Sequence, residues 1–304
     1  GSDYLDGGAG DDLLTGGLGD DRVVGGEGTD TVAIGGLQKD FTFSVSEIGL
    51  LTLTDLNTLT KLGVDVLSGV EVLHFNDGDI TVSTDEEGHV TLTGGNTVGD
   101  VIVMVGAEAV TLIGSGGDDA LTGADGSDTL DGGEGDDTIK LAGQGEYLVD
   151  HLDGGAGTDT LYLRDWSTGS YGSTPIGEKL VNFEKIIFQN GGPYNFTLGS
   201  QAGSIGDSII VDAYSDSGGV RGLTFVSNTD ANITLKGSDS YYNYAGQDNG
   251  DDVITLGSGN DTISLYRGDD TVTGGAGNDV IDGGLGTDIA IFSGNKSNYT
   301  ITET

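Results

Sequence analysis

Aspartate recurs at nine-residue intervals in three blocks, and these side chains are the ones most able to do chemistry. The fourteen positions are Asp3, Asp12, Asp21, Asp30, Asp119, Asp128, Asp137, Asp150, Asp159, Asp252, Asp261, Asp270, Asp279 and Asp288. Carboxylate oxygens are ligands that Ca²⁺ prefers. Carboxylates held close together also repel one another unless a cation lies between them. The spacing therefore predicts cation binding.

Two neighbours of each aspartate are fixed in type. Glycine stands two residues before the aspartate in 13 of 14 units, with Leu148 as the exception. Leu, Ile or Val stands two residues after it in 13 of 14 units, with Ala290 as the exception. An insertion of four residues, Leu141 to Gln144, interrupts the second block. The repeat therefore combines a glycine turn, an acidic group and one apolar side chain.

This pattern resembles the RTX nonapeptide, G-G-x-G-x-D-x-U-x, a known signature of calcium-binding parallel β-helices. The units GGAGDDLLT and GGAGNDVID illustrate the match, which covers 14 units of nine residues. The resemblance implies a β-roll fold and a secreted bacterial protein. It also implies export through a type I secretion system, followed by folding outside the cell on contact with calcium.

The physical properties of the unit agree with such a fold. Glycine-rich loops favour tight turns over helix, and the residues after each aspartate suit a short strand with its middle side chain inward. Two units would close one coil of 18 residues, and successive coils would stack about 4.8 Å apart. Aspartates two units apart would then be neighbours. The pairs are Asp3–Asp21, Asp12–Asp30, Asp119–Asp137, Asp128–Asp150, Asp137–Asp159, Asp252–Asp270, Asp261–Asp279 and Asp270–Asp288.

These eight pairs predict about eight Ca²⁺ ions. Calcium takes six to eight oxygen ligands, so backbone carbonyls must supplement the carboxylates. We expect these carbonyls from the second and fourth glycines of the loops: Gly8, Gly10, Gly17, Gly19, Gly26, Gly28, Gly133, Gly135, Gly155, Gly157, Gly275, Gly277, Gly284 and Gly286. One aliphatic side chain per unit is a small core, so we also expect folding to depend on the metal.

The composition excludes several classes of protein. The 304 residues include 58 Gly but only 2 Pro, and 50 acidic residues against 11 basic ones give a net charge of −39. This charge disfavours nucleic acid and anionic membranes as partners. No apolar run is long enough for membrane insertion. The absence of Cys excludes disulfides and thiolate zinc sites.

No catalytic constellation is evident, and we expect the chain not to be an enzyme. His74, His89 and His151 form no paired metal-binding spacing, and neither a nucleophile elbow nor a phosphate-binding loop occurs. Exposed aromatic groups, Tyr241 to Tyr244 and Trp166, leave a cell-surface polysaccharide or a protein open as a further partner. The alternative interpretation is that they cover insertions and the ends of the rolls.

The blocks recur on a larger scale. They end at Asp30, Asp159 and Asp288, and these three positions are equally spaced along the chain. The segment LSGVEVLHFNDG (67–78) also resembles LVNFEKIIFQNG (180–191), with Glu71 matching Glu184. We interpret the chain as a tandem array that begins and ends within the pattern. Alternating segments such as FTFSVS and VTLTG predict β-strands between the blocks.

The predicted fold is therefore all-β, with three short parallel β-rolls joined and capped by strand-rich segments. The predicted boundaries are roll I 1–33, a cap 34–82, a connecting segment 83–113, roll II 114–162, a cap 163–192, a connecting segment 193–246, roll III 247–292 and the start of a cap 293–304.

The leading functional hypothesis is a calcium-binding structural module of a large secreted or cell-surface bacterial protein, of adhesin or surface-layer type. The alternative is a calcium-dependent accessory region of a secreted protease, lipase or polysaccharide-modifying enzyme.

Overall fold

The structure is a computed structural model. It describes residues 1–141, 150–164, 180–189, 194–198, 208–213, 222–227, 229–237 and 250–302. The chain divides into two compact units, one of residues 1–164 and 179–185 and one of residues 165–178 and 186–304.

Among its described residues, the first unit consists of short strands and a 3₁₀ turn, Gln38–Asp40. Its strands are β1 Tyr4–Ala9, β2 Leu13–Leu14, β3 Arg22–Glu27, β4 Thr31–Ala33, β5 Phe41–Val45, β6 Leu51–Asp55, β7 Val64–Ser68, β8 Val72–His74, β9 Asp79–Thr84, β10 Val90–Thr93, β11 Val101–Val103, β12 Val110–Gly116, β13 Ala120–Gly123, β14 Thr129–Glu134, β15 Thr138–Leu141, β16 His151–Asp153, β17 Thr160–Arg164 and β18 Leu180–Val181.

Strands in the rolls of this unit pair in parallel, one coil above the next. In roll I, β1 pairs with β3 and β2 pairs with β4. In roll II, one ladder runs β10–β12–β14–β16–β18 and another runs β11–β13–β15–β17. Leu112 lies beside Leu130, and Leu121 lies beside Ile139, so successive coils are offset by two nonapeptide units. Beyond the four-residue insertion, Leu130 lies beside Leu152, so the insertion leaves the stacking intact.

The middle residue of each short strand points into the roll. Leu121, Leu130, Ile139, Leu152 and Leu161 are all fully buried. A parallel ladder places identical positions of successive coils directly above one another. In roll II these aliphatic residues therefore form two columns that fill the roll, one through Leu121, Ile139 and Leu161 and one through Leu130 and Leu152.

Glycine is required where the turns of successive coils approach each other. Gly28 has a φ of 132°, and a Cβ built there would lie 2.5 Å from the carbonyl oxygen of Gly10 in the neighbouring coil. A side chain would both strain this backbone and push the coils apart.

Antiparallel strands connect the two rolls of the first unit. Strands β5, β6 and β7 form an antiparallel meander that joins roll I through the parallel pair β3–β7. Strands β8, β9 and β10 are antiparallel and lie within one sheet between β4 and β12. Phe41 and Phe43 pack edge-on against Phe75, with ring centroids 5.5 and 6.2 Å apart. This aromatic cluster supplies the cap with its own core.

The second unit contains β19 Lys185–Gln189, β20 Tyr194–Leu198, β21 Ser208–Asp212, β22 Leu223–Ser227, β23 Asn232–Lys236, β24 Val253–Thr255, β25 Thr262–Ser264, β26 Thr271–Thr273, β27 Val280–Asp282, β28 Ile289–Ala290 and a 3₁₀ turn Lys296–Asn298; the first residue of β19 is grouped with the first unit. Its ladders are β20–β22–β24–β26–β28 and β21–β23–β25–β27. Phe196 stacks on Phe225 with ring centroids 5.8 Å apart.

The prediction of an all-β fold built from parallel rolls is confirmed. Strands of the predicted connecting segments 83–113 and 193–246 also pair in parallel with the rolls, as in β11–β13 and β22–β24. The segment boundaries stay a prediction. Trp166 and Tyr241 to Tyr244 lie outside the described residues. Within the described ranges, no helix has the length and apolar character needed to cross a membrane.

Candidate metal centre

The repeat aspartates form vertical columns along the rolls. In each of the eight predicted pairs, the backbone N–H of one aspartate donates to Oδ1 of the aspartate in the next coil, at 2.7 to 3.1 Å. The pairs that span the insertion, Asp128–Asp150 and Asp137–Asp159, share this geometry. The structure therefore brings together every predicted pair, and we call these columns the inner rails.

The second oxygen of these carboxylates faces a different environment. Asp30, Asp159 and Asp270 are fully buried. Among the described residues, a group of these aspartates has a buried Oδ2 that accepts no hydrogen bond, namely Asp12, Asp21, Asp30, Asp119, Asp137, Asp159, Asp261 and Asp270. Burying a carboxylate oxygen without a hydrogen-bond donor costs free energy, so a bound cation would stabilise each of these atoms.

Several of these oxygens share a small cradle with a backbone carbonyl, namely Oδ2 of Asp12, Asp30, Asp119, Asp137 and Asp159. A Cβ built on Gly7 would lie 2.7 Å from Oδ2 of Asp12 and 2.6 Å from the carbonyl oxygen of Gly25 in the next coil. The same convergence recurs at Gly114, where the nearest atoms are Oδ2 of Asp119 and the carbonyl of Gly132. The first glycine of the loop thus leaves space that carboxylate and carbonyl oxygens line together.

This donor set fits calcium. Carboxylate and carbonyl oxygens are the ligands of a hard divalent cation, whereas zinc sites draw on His and Cys. The carboxylate of Asp12 with the carbonyl of Gly25 would hold such an ion, which would neutralise buried charge and bridge two coils. The ligand roles of the repeat aspartates stay a prediction on this basis.

The raised pKa values of several inner-rail aspartates also favour a bound cation. Desolvation by burial raises the pKa of Asp119 to about 7, and the neighbouring charge of Asp137 adds to the effect. Burial likewise raises the pKa of Asp159 to about 7 and that of Asp270 to about 6. Hydrogen bonds from backbone N–H groups oppose these shifts without cancelling them. Without a cation, Asp119 and Asp159 therefore resist full ionisation at neutral pH.

The predicted glycine carbonyls are only part of the arrangement. All fourteen glycines named from the sequence have positive φ, which the turns require. The carbonyls that enter the cradles beside Oδ2 instead come from first-position glycines, including Gly25, Gly132 and Gly154. The sequence marks this position as the first G of G-G-x-G, five residues before the aspartate, but only the structure shows that it faces that aspartate.

Acidic residues outside the repeat extend the rails, and sequence reasoning did not assign them. The N–H of Asp21 donates to Oδ1 of Asp65, and the N–H of Asp30 donates to Oε2 of Glu71. In roll II, Asp100 precedes Asp119 and Glu184 follows Asp159 in the same manner. Only the match between Glu71 and Glu184 gave a sequence signal.

A second, exposed set of side chains runs beside each inner rail. Oδ1 of the residue before the repeat aspartate accepts the N–H of its counterpart in the next coil, as from Thr29 to Asp11 and from Asn278 to Asn260. We call this set the outer rail. Because Asn260 serves in it as well as Asp11, this rail needs a hydrogen-bond acceptor and not a charge.

The histidines lie apart from the inner rails. His74 contacts Asp79 at 2.5 Å, and His89 contacts Asp85 at 3.0 Å within an exposed group that includes Glu87. His151 is exposed in β16. None of the three contributes to the cradles described above.

Comparison with known proteins agrees with this geometry. The family model of the RTX calcium-binding nonapeptide repeat matches residues 1–32, 111–139, 149–165, 248–271 and 257–290. No curated protein matches the chain significantly. Among solved structures, the chain is similar to the extracellular lipase LipA from Serratia marcescens, with 16% sequence identity and a TM-score of 0.24. The alignment covers 75% of this chain and 33% of the lipase, so this chain spans about a third of the lipase's length.

Replacing Asp270 by Asn separates its charge from its hydrogen bond. The amide oxygen can still accept the N–H of Asp252, but the buried charge is lost. We expect Asp270→Asn to be less stable than the wild type in excess calcium, by about 2.7 kcal/mol if calcium stands at about 100 times the Kd of the lost site. In chelator at pH 8, where no ion binds, the same variant should show at least as much β content as the wild type, because repulsion is relieved. Chemical denaturation in calcium measures the loss of stability, and circular dichroism measures the β content in chelator.

The matched control for this variant is Asp269→Asn on the outer rail, where Asp269 is exposed and accepts the N–H of Thr287. It should change stability little in either condition. Equal losses in calcium for the two variants would contradict a cation on the inner rail.

Adding a methyl group to the cradle tests its geometry. In Gly7→Ala, the new Cβ would meet Asp12 and Gly25, whereas in Gly35→Ala it would meet nothing within 4 Å; neither glycine has positive φ. We expect Gly7→Ala to weaken calcium binding in isothermal titration calorimetry and to lower the melting temperature in calcium. Gly35→Ala should leave both unchanged. Wild-type calcium affinity in Gly7→Ala would refute the cradle as the binding position.

Proposed function

Because the chain carries RTX calcium-binding nonapeptide repeats, we propose that it is a calcium-dependent structural module of a large secreted or cell-surface bacterial protein, of adhesin or surface-layer type. In this role calcium is its obligatory partner. The module itself carries out no catalysis.

The observation that carries the proposal is the set of buried, unpaired Oδ2 atoms along the inner rails. A protein that only needed hydrogen-bonding turn residues would be served by Asn, as the outer rail is at Asn260. Every repeat unit of the inner rails uses Asp, and ten of these fourteen aspartates are buried. Stacked, buried carboxylates destabilise the folded chain unless a cation binds between them. Calcium binding therefore drives the folding of the module in this proposal.

Metal-dependent assembly suits a protein that crosses membranes unfolded. With little calcium, repulsion along the rails and a net charge of −39 oppose compaction. Outside the cell, extracellular modules bind calcium with dissociation constants of about 10⁻⁴ to 10⁻³ M. Export through a type I secretion system, followed by folding at the cell surface, is therefore part of the proposal.

The tandem architecture supports a stalk or surface layer in preference to a single accessory domain. The ends of the three repeat blocks are equally spaced, and antiparallel strands join roll I to roll II within one sheet of the first unit. Such joints allow rolls to be added in series. A repeated module stabilised by calcium is the form that an adhesin or surface layer requires.

Calcium titration tests the proposal. We expect the chain to lack cooperative unfolding and to have reduced β content in chelator, and to gain both as calcium rises into the millimolar range. Circular dichroism and calorimetry would follow the change, with equal Mg²⁺ as the control for general charge screening. Equal β content and melting temperature in chelator and in calcium would refute calcium-dependent folding.

A further inference from the structure

Two segments outside the repeats end an inner rail in the same way. They are the matching stretches around Glu71 and Glu184, which follow rolls I and II. Neither glutamate lies within the residues matched by the family model. Their geometry nevertheless continues that of the repeat.

At the end of roll I, Glu71 takes the place of a repeat aspartate. The N–H of Asp30 donates to Oε2 of Glu71 at 2.8 Å, as the N–H of Asp12 donates to Oδ1 of Asp30 at 2.9 Å. A Cβ built on Gly25 would clash with the carbonyl oxygen of Gly69 and would lie 2.5 Å from Oδ2 of Asp30. A carboxylate and a carbonyl thus line a cradle here as they do within the roll.

The end of roll II repeats this arrangement. The N–H of Asp159 donates to Oε2 of Glu184 at 2.8 Å. A Cβ built on Gly154 would clash with the carbonyl oxygen of Asn182 and would lie 2.9 Å from Oδ2 of Asp159. Gly69 and Asn182 have left-handed φ values of 57° and 54°, so both segments turn their carbonyls in the same way. Asn is among the non-glycine residues that tolerate this conformation best.

Both terminal cradles contain acceptors that lack a donor. Asp30 and Asp159 are fully buried, and within the described chain their Oδ2 atoms accept no hydrogen bond. The glutamate and the carbonyl beside them add further negative character. Three kinds of oxygen ligand therefore meet at each end of the rail.

The opposite end of the roll II rail shows how the fold satisfies such an aspartate without a cation. Asp100 begins this rail, and its Oδ1 accepts the side-chain Nε2 of Gln38 at 2.6 Å. Its Oδ2 accepts the N–H of Gly95 at 2.5 Å. Donors from the protein thus satisfy both oxygens of Asp100, whereas Oδ2 of Asp30 and Oδ2 of Asp159 receive no donor from the described residues.

We propose that each of these two ends is a further divalent-cation site, formed by Asp30, Gly69 and Glu71 after roll I and by Asp159, Asn182 and Glu184 after roll II. The inference rests on the proposed calcium binding and adds two ions to those held between repeat aspartates. Each terminal ion fastens the last coil to the segment that follows it. Glu71 and Val72 already bond the carbonyl of Asp30 from that segment, at 3.1 and 3.0 Å.

Glutamine substitutions test the proposal, because the amide oxygen can keep the hydrogen bond to the aspartate while the charge is lost. The variants are Glu71→Gln, Glu184→Gln and the double variant, with Glu134→Gln, an exposed glutamate of roll II, as the control. Equilibrium dialysis against radioactive calcium counts the ions bound per chain, and circular dichroism reports folding. We expect each single variant to lose one ion, or to require several-fold more calcium to fold, and the effects to add in the double variant.

The outcomes separate this inference from the proposed function. Calcium-dependent folding with the wild-type number of ions and wild-type affinity in both single variants would overturn the terminal sites and leave the repeat sites standing. A wild-type chain that binds no calcium would overturn both. Failure of a Gln variant to fold at any calcium concentration, when Glu134→Gln folds, supports the terminal sites, since volume and hydrogen bonding are retained.

Discussion

Repulsion between the carboxylates that are stacked one above another along each roll is the constraint that the rest of the structure must satisfy. Parallel stacking brings successive coils about 4.8 Å apart, and the repeat places an aspartate at the same position in every coil. Backbone N–H groups satisfy Oδ1 of most of these carboxylates, but within the described residues a buried Oδ2 without a donor recurs along the rails, as at Asp30, Asp119 and Asp270. Burial raises the pKa of Asp119 and Asp159 to about 7, which is the electrostatic cost of assembling these columns without a counter-ion. The other features of the repeat either bring the carboxylates together or leave room for a cation between them.

Glycine and the aliphatic column serve this arrangement in different ways. The second and fourth glycines adopt positive φ and let neighbouring turns approach, while the first glycine leaves its Cβ position to the oxygens of the cradle. The buried Leu, Ile or Val of each unit fills the roll but is too small a core for so much ordered backbone. Under the proposed function, ion binding supplies a large part of the stabilising free energy that hydrophobic burial does not. Such a fold would form only where calcium is present.

Much of this could be predicted from the sequence because the repeat is strictly periodic. The coil of two nonapeptide units, the inward column through Leu121 and Ile139, and all eight aspartate pairs follow from counting positions. The antiparallel caps were predicted only as strands, since alternation indicates a strand without its partner. The rail ends at Asp65, Asp100, Glu71 and Glu184 were not assigned, because their distances along the chain from the aspartates they contact do not follow the nine-residue period. The first-position carbonyls were missed because glycine offers no side chain from which to infer a direction.

Anomalous diffraction from crystals grown in calcium tests the central claim most directly, because calcium scatters anomalously at accessible wavelengths and the protein has no Cys and a single Met. The account predicts discrete calcium peaks in the cradles between Oδ2 of each inner-rail aspartate and the carbonyl of the first glycine in the next coil. These peaks should recur once per coil along each rail. Aspartates turned toward solvent, or cradles occupied only by water in calcium-saturated crystals, would contradict it.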